Sequence, residues 1–166
     1  MAQFSQLGRP KSFETTTPAL KIEDLLEMEV TLDHEAHKHF GNNRFPRKTI
    51  GNDATRIRIK TTDVRVVANY HKSKEVAGIT CTWEGTASTI DENGDVTVNP
   101  GTYTFECTVG SVAEAVKITP AADGKPAEFE VTFEPAIKES DGTAPTVGLT
   151  FSPGSGDSGG GGGEGV

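Results

Sequence analysis

Residues 79–83 read Ile-Thr-Cys-Thr-Trp and residues 129–133 read Phe-Glu-Val-Thr-Phe. In each, apolar and polar residues alternate with a period of two, the period at which successive side chains of a strand point to opposite faces of a sheet. Ile79, Cys81 and Trp83 share one face, as do Phe129, Val131 and Phe133. Four further stretches repeat the pattern: Arg56 to Lys60, Val96 to Val98, Tyr103 to Val109 and Val147 to Phe151. Their polar partners are mostly Thr and Glu. Strands with one dry and one wet face build antiparallel sheets that pack in pairs. The fold class that follows is mainly β: an antiparallel β-sandwich or barrel with at most one or two short helices.

Working outward, the segments between these strands are rich in turn residues. Asp91-Glu92-Asn93-Gly94-Asp95 is a hairpin signal. Asn99-Pro100-Gly101 reads as a turn between the strand at Val96–Val98 and the one opening at Tyr103, and 120–126 and 138–145 as further turns. Leu26, Met28, Val30 and Leu32 alternate, which predicts a strand from about Glu27 to Leu32. Thr17-Pro18 can start a helix through Leu20, Ile22, Leu25 and Leu26. Thr62-Asp63-Val64 can cap a second one leading to Val66, Val67 and Tyr70.

The 166 residues then divide into an N-terminal arm over 1–18, a single β-sandwich domain over 19–152, and a flexible Gly-rich tail over 153–166 with five consecutive glycines, Gly159 to Gly163. Within the domain, 33–53 reads as a long loop without periodicity. A loop of that length in a compact domain is usually functional. Its apolar Phe40, Phe45 and Ile50 make poor solvent residues, so a neighbouring subunit is expected to cover them, with Arg44, Arg47 and Lys48 beside them.

The net charge of −8 conceals an asymmetry: residues 1–76 hold 13 Lys and Arg against 10 Asp and Glu, whereas 77–166 hold 3 against 14. The basic excess centres on Arg44, Arg47, Lys48, Arg56, Arg58, Lys60, Arg65, Lys72 and Lys74. Opposite poles of this kind draw copies together head to tail. The acidic remainder opposes binding to a phosphate backbone. No apolar run reaches the roughly 20 residues of a membrane span, and Met1 to Pro10 lacks the apolar stretch of a signal peptide, so synthesis in the cytoplasm is expected. In that compartment Cys81 and Cys107, both on the apolar phase of their strands, read as buried thiols.

No catalytic constellation emerges, and no cofactor or metal site is expected. His34, His37 and His39 lie in His-Glu-Ala-His-Lys-His, whose spacing differs from the His-Glu-x-x-His of zinc hydrolases; a polar contact segment is the reading. Asp91 to Asp95 resembles a fragment of a calcium loop but lacks the twelve-residue spacing and closing Glu. Glu128, Glu130 and Glu134 mark the wet face of a strand. No Ser-His-Asp or Cys-His pairing is suggested, and the glycine tail lacks the Lys-Ser/Thr of a phosphate loop. Trp83 follows Cys81 by two residues, not the dozen of an immunoglobulin core. The chain is read as a non-enzyme.

Two segments resemble the tail-tube (major tail) proteins of tailed bacteriophages. Glu29 to Val64, EVTLDHEAHKHFGNNRFPRKTIGNDATRIRIKTTDV, is a strand, a polar loop and a basic strand ending in a Thr-Thr-Asp turn. Cys107 to Phe151 has the order of that family's closing hairpin: a V-S-V-type strand, a polar turn, an F-x-V-x-F-x-A-type strand, and Ser-Asp-Gly-Thr before a last strand. The resemblance implies a structural virion protein, made in the host cytoplasm, whose copies stack as hexameric rings around a conduit. DNA would pass without specific binding, and other virion proteins would be partners. It further implies that the 33–53 loop reaches a neighbouring subunit and that Glu128 and Glu130 face the lumen. The competing readings are a capsid decoration or other virion accessory protein, and a monomeric β-sandwich binding module.

Overall fold

The computed structural model describes residues 2–32, 34–39, 47–53, 55–71, 75–108, 111–136 and 141–154. The tail beyond residue 154 lies outside them. Five of the six alternating stretches are strand throughout, and the sixth, Tyr103 to Val109, is strand to Cys107, with Val109 outside the described residues. In chain order the elements are β1 (Ala2–Thr15), β2 (Leu20–Ile22), β3 (Leu25–Thr31), β4 (His34–His39), β5 (Arg47–Asp53), β6 (Arg56–Thr61), α1 (Arg65–Tyr70), β7 (Ile79–Ile90), β8 (Val96–Cys107), β9 (Ser111–Thr119), β10 (Glu128–Pro135) and β11 (Val147–Pro153). One sheet has the order β11-β8-β7-β1-β2, the other β3-β6-β10-β9, and every pairing is antiparallel. Both sheets are open, so the fold is a sandwich.

Alternation puts Phe13, Ile79, Cys81, Trp83, Tyr103, Phe105 and Cys107 of the first sheet against Met28, Ile57, Ile59, Phe129, Val131 and Phe133 of the second, all buried. Aromatic rings from three elements lock one end of this core. Phe13 and Phe133 stack at 5.2 Å between the sheets, and Tyr70 of α1 meets Phe133 edge-on at 4.9 Å. The Tyr70 hydroxyl is 2.9 Å from Thr15 Oγ1, which itself donates to Pro18 O at 2.5 Å, so the phenol is the donor. At the other end the Trp83 indole donates to Met28 O at 3.3 Å, giving a core carbonyl its partner. Cys81 and Cys107 are buried thiols on diagonal positions of β7 and β8.

The helix after Thr62-Asp63-Val64 is present as α1, with Val66 and Tyr70 buried one turn apart. Asp63 Oδ1 accepts the Arg65 backbone N–H at 2.9 Å, and its carboxylate also takes the Arg65 guanidinium. Four expectations are corrected. Most of the 1–18 arm is instead a strand of the first sheet: β1 pairs with β7 from Ala2↔Ile90 to Glu14↔Thr80, with Phe13 and Thr15 buried, and its alternation is hidden by irregularities on either side of Pro10. No helix forms over 18–26, because Leu20 and Ile22 are both buried at strand spacing and β3 follows after two residues. Asn99-Pro100-Gly101 is not a turn, since β8 runs straight through it. A strand residue points its N–H and C=O to the same side, and Pro100 O accepts from Gly154 N at the end of β11, so the missing proline donor falls where the neighbouring strand stops. Finally, both ends of the 33–53 stretch are strand, β4 and β5 pairing as a two-stranded ribbon.

Candidate assembly surfaces

The basic strand β6 lies between β3 and β10, which decides where its charge goes. On the outer face of the four-stranded sheet, Arg58 reaches Glu29 at 2.9 Å, Glu130 at 3.3 Å and Glu27 at 3.4 Å, and Lys60 reaches Glu128 at 2.8 Å. The hydrogen bond that Arg58 donates to Glu29 raises the Arg58 pKa, and that which Lys60 donates to Glu128 raises the Lys60 pKa. Arg65 is likewise held by Asp63 at 2.6 Å. The charge asymmetry along the sequence is therefore cancelled in space at these positions. Arg58, Lys60 and Arg65 are used inside the chain, and Glu128 and Glu130 sit on the sheet's outer face with cations beside them.

Of the residues expected at a subunit interface, Phe40, Arg44 and Phe45 lie outside the described residues. Arg47, Lys48 and Ile50 are on β5, in the ribbon, which is hydrogen-bonded to neither large sheet. His34, His37 and His39 lie on β4. Among the residues described in full, no group of three or more His, Cys, Asp or Glu is gathered to hold a metal ion. Asp91 acts as a turn organiser: its Oδ1 accepts the N–H groups of Asn93 at 2.9 Å and Asp95 at 2.8 Å. The aromatics that a carbohydrate-binding face would present are internal, with Tyr70, Trp83 and Tyr103 all buried. No helix is long and apolar enough to cross a membrane among the described residues.

The surface that sequence reading missed is at β11. Its register, Val147↔Cys107, Leu149↔Phe105 and Phe151↔Tyr103, places its apolar phase on the core face of the sheet. Of the three, Phe151 is covered, its ring 4.8 Å from that of Tyr103, whereas Val147 is 45% and Leu149 55% exposed. A mainly apolar groove of about 370 Å³ opens beside Leu149, its lining including Leu7, Met28, Val30, Trp83 and Phe105 together with the charged Glu29. Among the described residues the outer edge of β11 pairs with no strand, and Val147 to Pro153 contains no charged residue. Natural edge strands are normally guarded by charge, bulges or cover. The signal was an apolar phase without a facing layer, which alternation alone does not distinguish from core.

No family model matches the chain, and no curated protein is similar to it in sequence. Two solved structures are similar to it in fold. One is a chain of the anti-feeding prophage (AFP) baseplate, resolved by cryo-EM with six-fold symmetrisation, at 5% identity over 82% of this chain and 89% of that one, with a TM-score of 0.39. The other is Hcp protein, at 12% identity over 90% and 97%, with a TM-score of 0.38.

Proposed function

We propose that this chain is a structural virion protein: a tail-tube subunit that self-assembles into stacked rings forming a conduit for DNA and performs no chemistry. The observation that carries the reading is the unguarded β11 edge beside an open apolar groove. Together they offer backbone hydrogen bonds and an apolar seat to an extended segment of another copy, the combination on which strand addition depends. Exposed apolar surface of this kind marks an interaction site. The order of elements in Glu29–Val64 and Cys107–Phe151, which resembles the tail-tube family, supports the same reading. In such an assembly the ribbon with Arg47, Lys48 and Ile50 reaches a neighbouring copy. The outer face of the four-stranded sheet lines the lumen, where the Arg58 and Lys60 ion pairs leave Glu128 and Glu130 too little net charge to grip or strongly repel DNA.

The test is negative-stain electron microscopy with light scattering on the purified protein and on Leu149→Glu. Rings or tubes of uniform diameter are expected for the wild type, and a folded monomer for Leu149→Glu, since a carboxylate cannot be buried unpaired in the groove. A wild type that stays monomeric at every salt concentration overturns the reading.

A further inference from the structure

The hydrogen bonds at the two ends of β11 fix which of its backbone groups face outward. Thr146 O accepts the Thr108 N–H at 3.1 Å and Gly154 N donates to Pro100 O at 2.9 Å, so both residues turn toward β8. The pairing between them is regular and backbone groups alternate sides along an antiparallel strand, so Gly148, Thr150 and Ser152 turn the same way. Val147, Leu149 and Phe151 therefore aim N–H and C=O at the outer edge, where no strand meets them among the described residues, and Pro153 offers a carbonyl alone. The same three residues carry the apolar side chains of the core face. Outward hydrogen-bonding groups and the exposed Val147 and Leu149 belong to one row.

Four edge strands bound the two large sheets: β11 and β2 in the first, β3 and β9 in the second. Three carry the charge that guards natural edges, β2 with Lys21, β3 with Glu27 and Glu29, and β9 with Lys117; β11 alone of the four carries none. A strand added from any of those three brings a charge to the β11 edge, whereas a second β11 brings none and presents the same outward row. Antiparallel pairing about a two-fold axis at Leu149 sets Leu149 opposite its own copy and Val147 opposite the partner's Phe151. Every outward N–H and C=O of the three residues is then paired, Pro153 lies beyond the paired row, and Val, Leu and Phe meet as apolar cross-strand neighbours.

We propose that two copies pair isologously through β11, joining their five-stranded sheets into one across a two-fold axis at Leu149. An isologous pair closes on itself and does not propagate. Its role rests on the assembly reading above: the dimer occupies the edge that a ring contact needs, and so withholds free subunits from assembly. A pair of seven-residue strands is small beside the roughly 1,200 Å² that a stable interface buries, so the dimer is weak and gives way to a larger contact competing for β11.

Leu149→Cys tests it. Opposed Cα atoms of a hydrogen-bonded antiparallel pair are about 5.5 Å apart, within the span of a disulfide, and the native Cys81 and Cys107 are buried. Oxidised glutathione is expected to convert Leu149→Cys to a covalent dimer, each new disulfide reducing one glutathione disulfide to two thiols. Thr150→Cys, whose own copy lies a diagonal of about 7 Å or more away, is expected to cross-link on the order of tenfold more slowly. Leu149→Pro removes an edge N–H that β8 does not use. It is expected to stay folded by circular dichroism and monomeric in sedimentation velocity at protein concentrations where the wild type dimerises. Absence of the Leu149→Cys cross-link, or an equally fast one at Thr150→Cys, overturns the pairing. Electron microscopy separates the two levels: wild-type rings without the cross-link leave the assembly reading and remove the dimer, and the cross-link without wild-type rings does the reverse. A cross-linked dimer that still forms rings overturns the competition for β11, whereas rings that return only on reduction with dithiothreitol support it. A wild type monomeric at every protein concentration removes both.

Discussion

At the scale of single residues, Tyr70 shows how burial becomes a pH dependence. Burial pushes its hydroxyl from 10.0 up to about 12. The folded state then holds the phenol proton between those values while the unfolded chain loses it, so stability is intact below pH 10 and falls as pH rises toward 12. Tyr70→Phe is expected to flatten that alkaline slope in urea unfolding and, at neutral pH, to cost about 1 kcal/mol for the lost hydrogen bond. Phe133, stacked on Phe13 and met edge-on by Tyr70, joins three elements. Phe133→Ala is expected to lower stability by about 3 to 5 kcal/mol, seen as a lower urea midpoint. Asp63 has the opposite sign to Tyr70. Its hydrogen bonds from Arg65 hold its carboxyl below the usual range, so its contribution is present above the unfolded pKa and is lost as pH falls through the folded one. Asp63→Ala is expected to remove about 1 kcal/mol at neutral pH and less in acid.

At the scale of elements, β8 and β11 depend on a glycine. A Cβ at Gly101 would lie 2.6 Å from Phe151 Cζ and would also strike the Ser152 carbonyl, so β11 holds its place only because that position has no side chain. Gly101→Val is expected to detach β11 from β8 and with it to abolish association, while the core of β6, β7 and β10 persists; hydrogen exchange of the Val147–Pro153 amides reads the first effect and sedimentation the second. Legibility in the sequence varied between elements for identifiable reasons. β6, β7 and β10 were visible because both the pattern and the burial have period two, as in Ile57, Ile59 and Thr61. β1 was invisible because Leu7, Pro10 and Phe13 are out of phase across irregular pairings, and β8 was split because proline usually ends a strand. β4 and β5 pair with each other and with no strand of the two large sheets among the described residues, and their sequences carry no alternation.

At the scale of the whole molecule, the ion pairs of the four-stranded sheet are screened by solvent, so each contributes little to stability. Raising salt is accordingly expected to move the urea midpoint of the monomer little while weakening association, and equilibrium unfolding of Leu149→Glu beside sedimentation of the wild type separates the two. By itself the sequence determined the class of the fold, the helix after Asp63 and the hairpin at Asp91–Asp95, because local periodicity and turn chemistry depend only on near neighbours along the chain. Only the tertiary structure decided that most of the N-terminal segment is a strand of the first sheet, that Arg58 and Lys60 of the basic half are met by acids from both halves, and that the apolar phase of β11 is left uncovered. Those outcomes depend on which strands lie side by side and how far one sheet extends over the other. Both are set by long-range packing, to which the alternation of a single strand is blind.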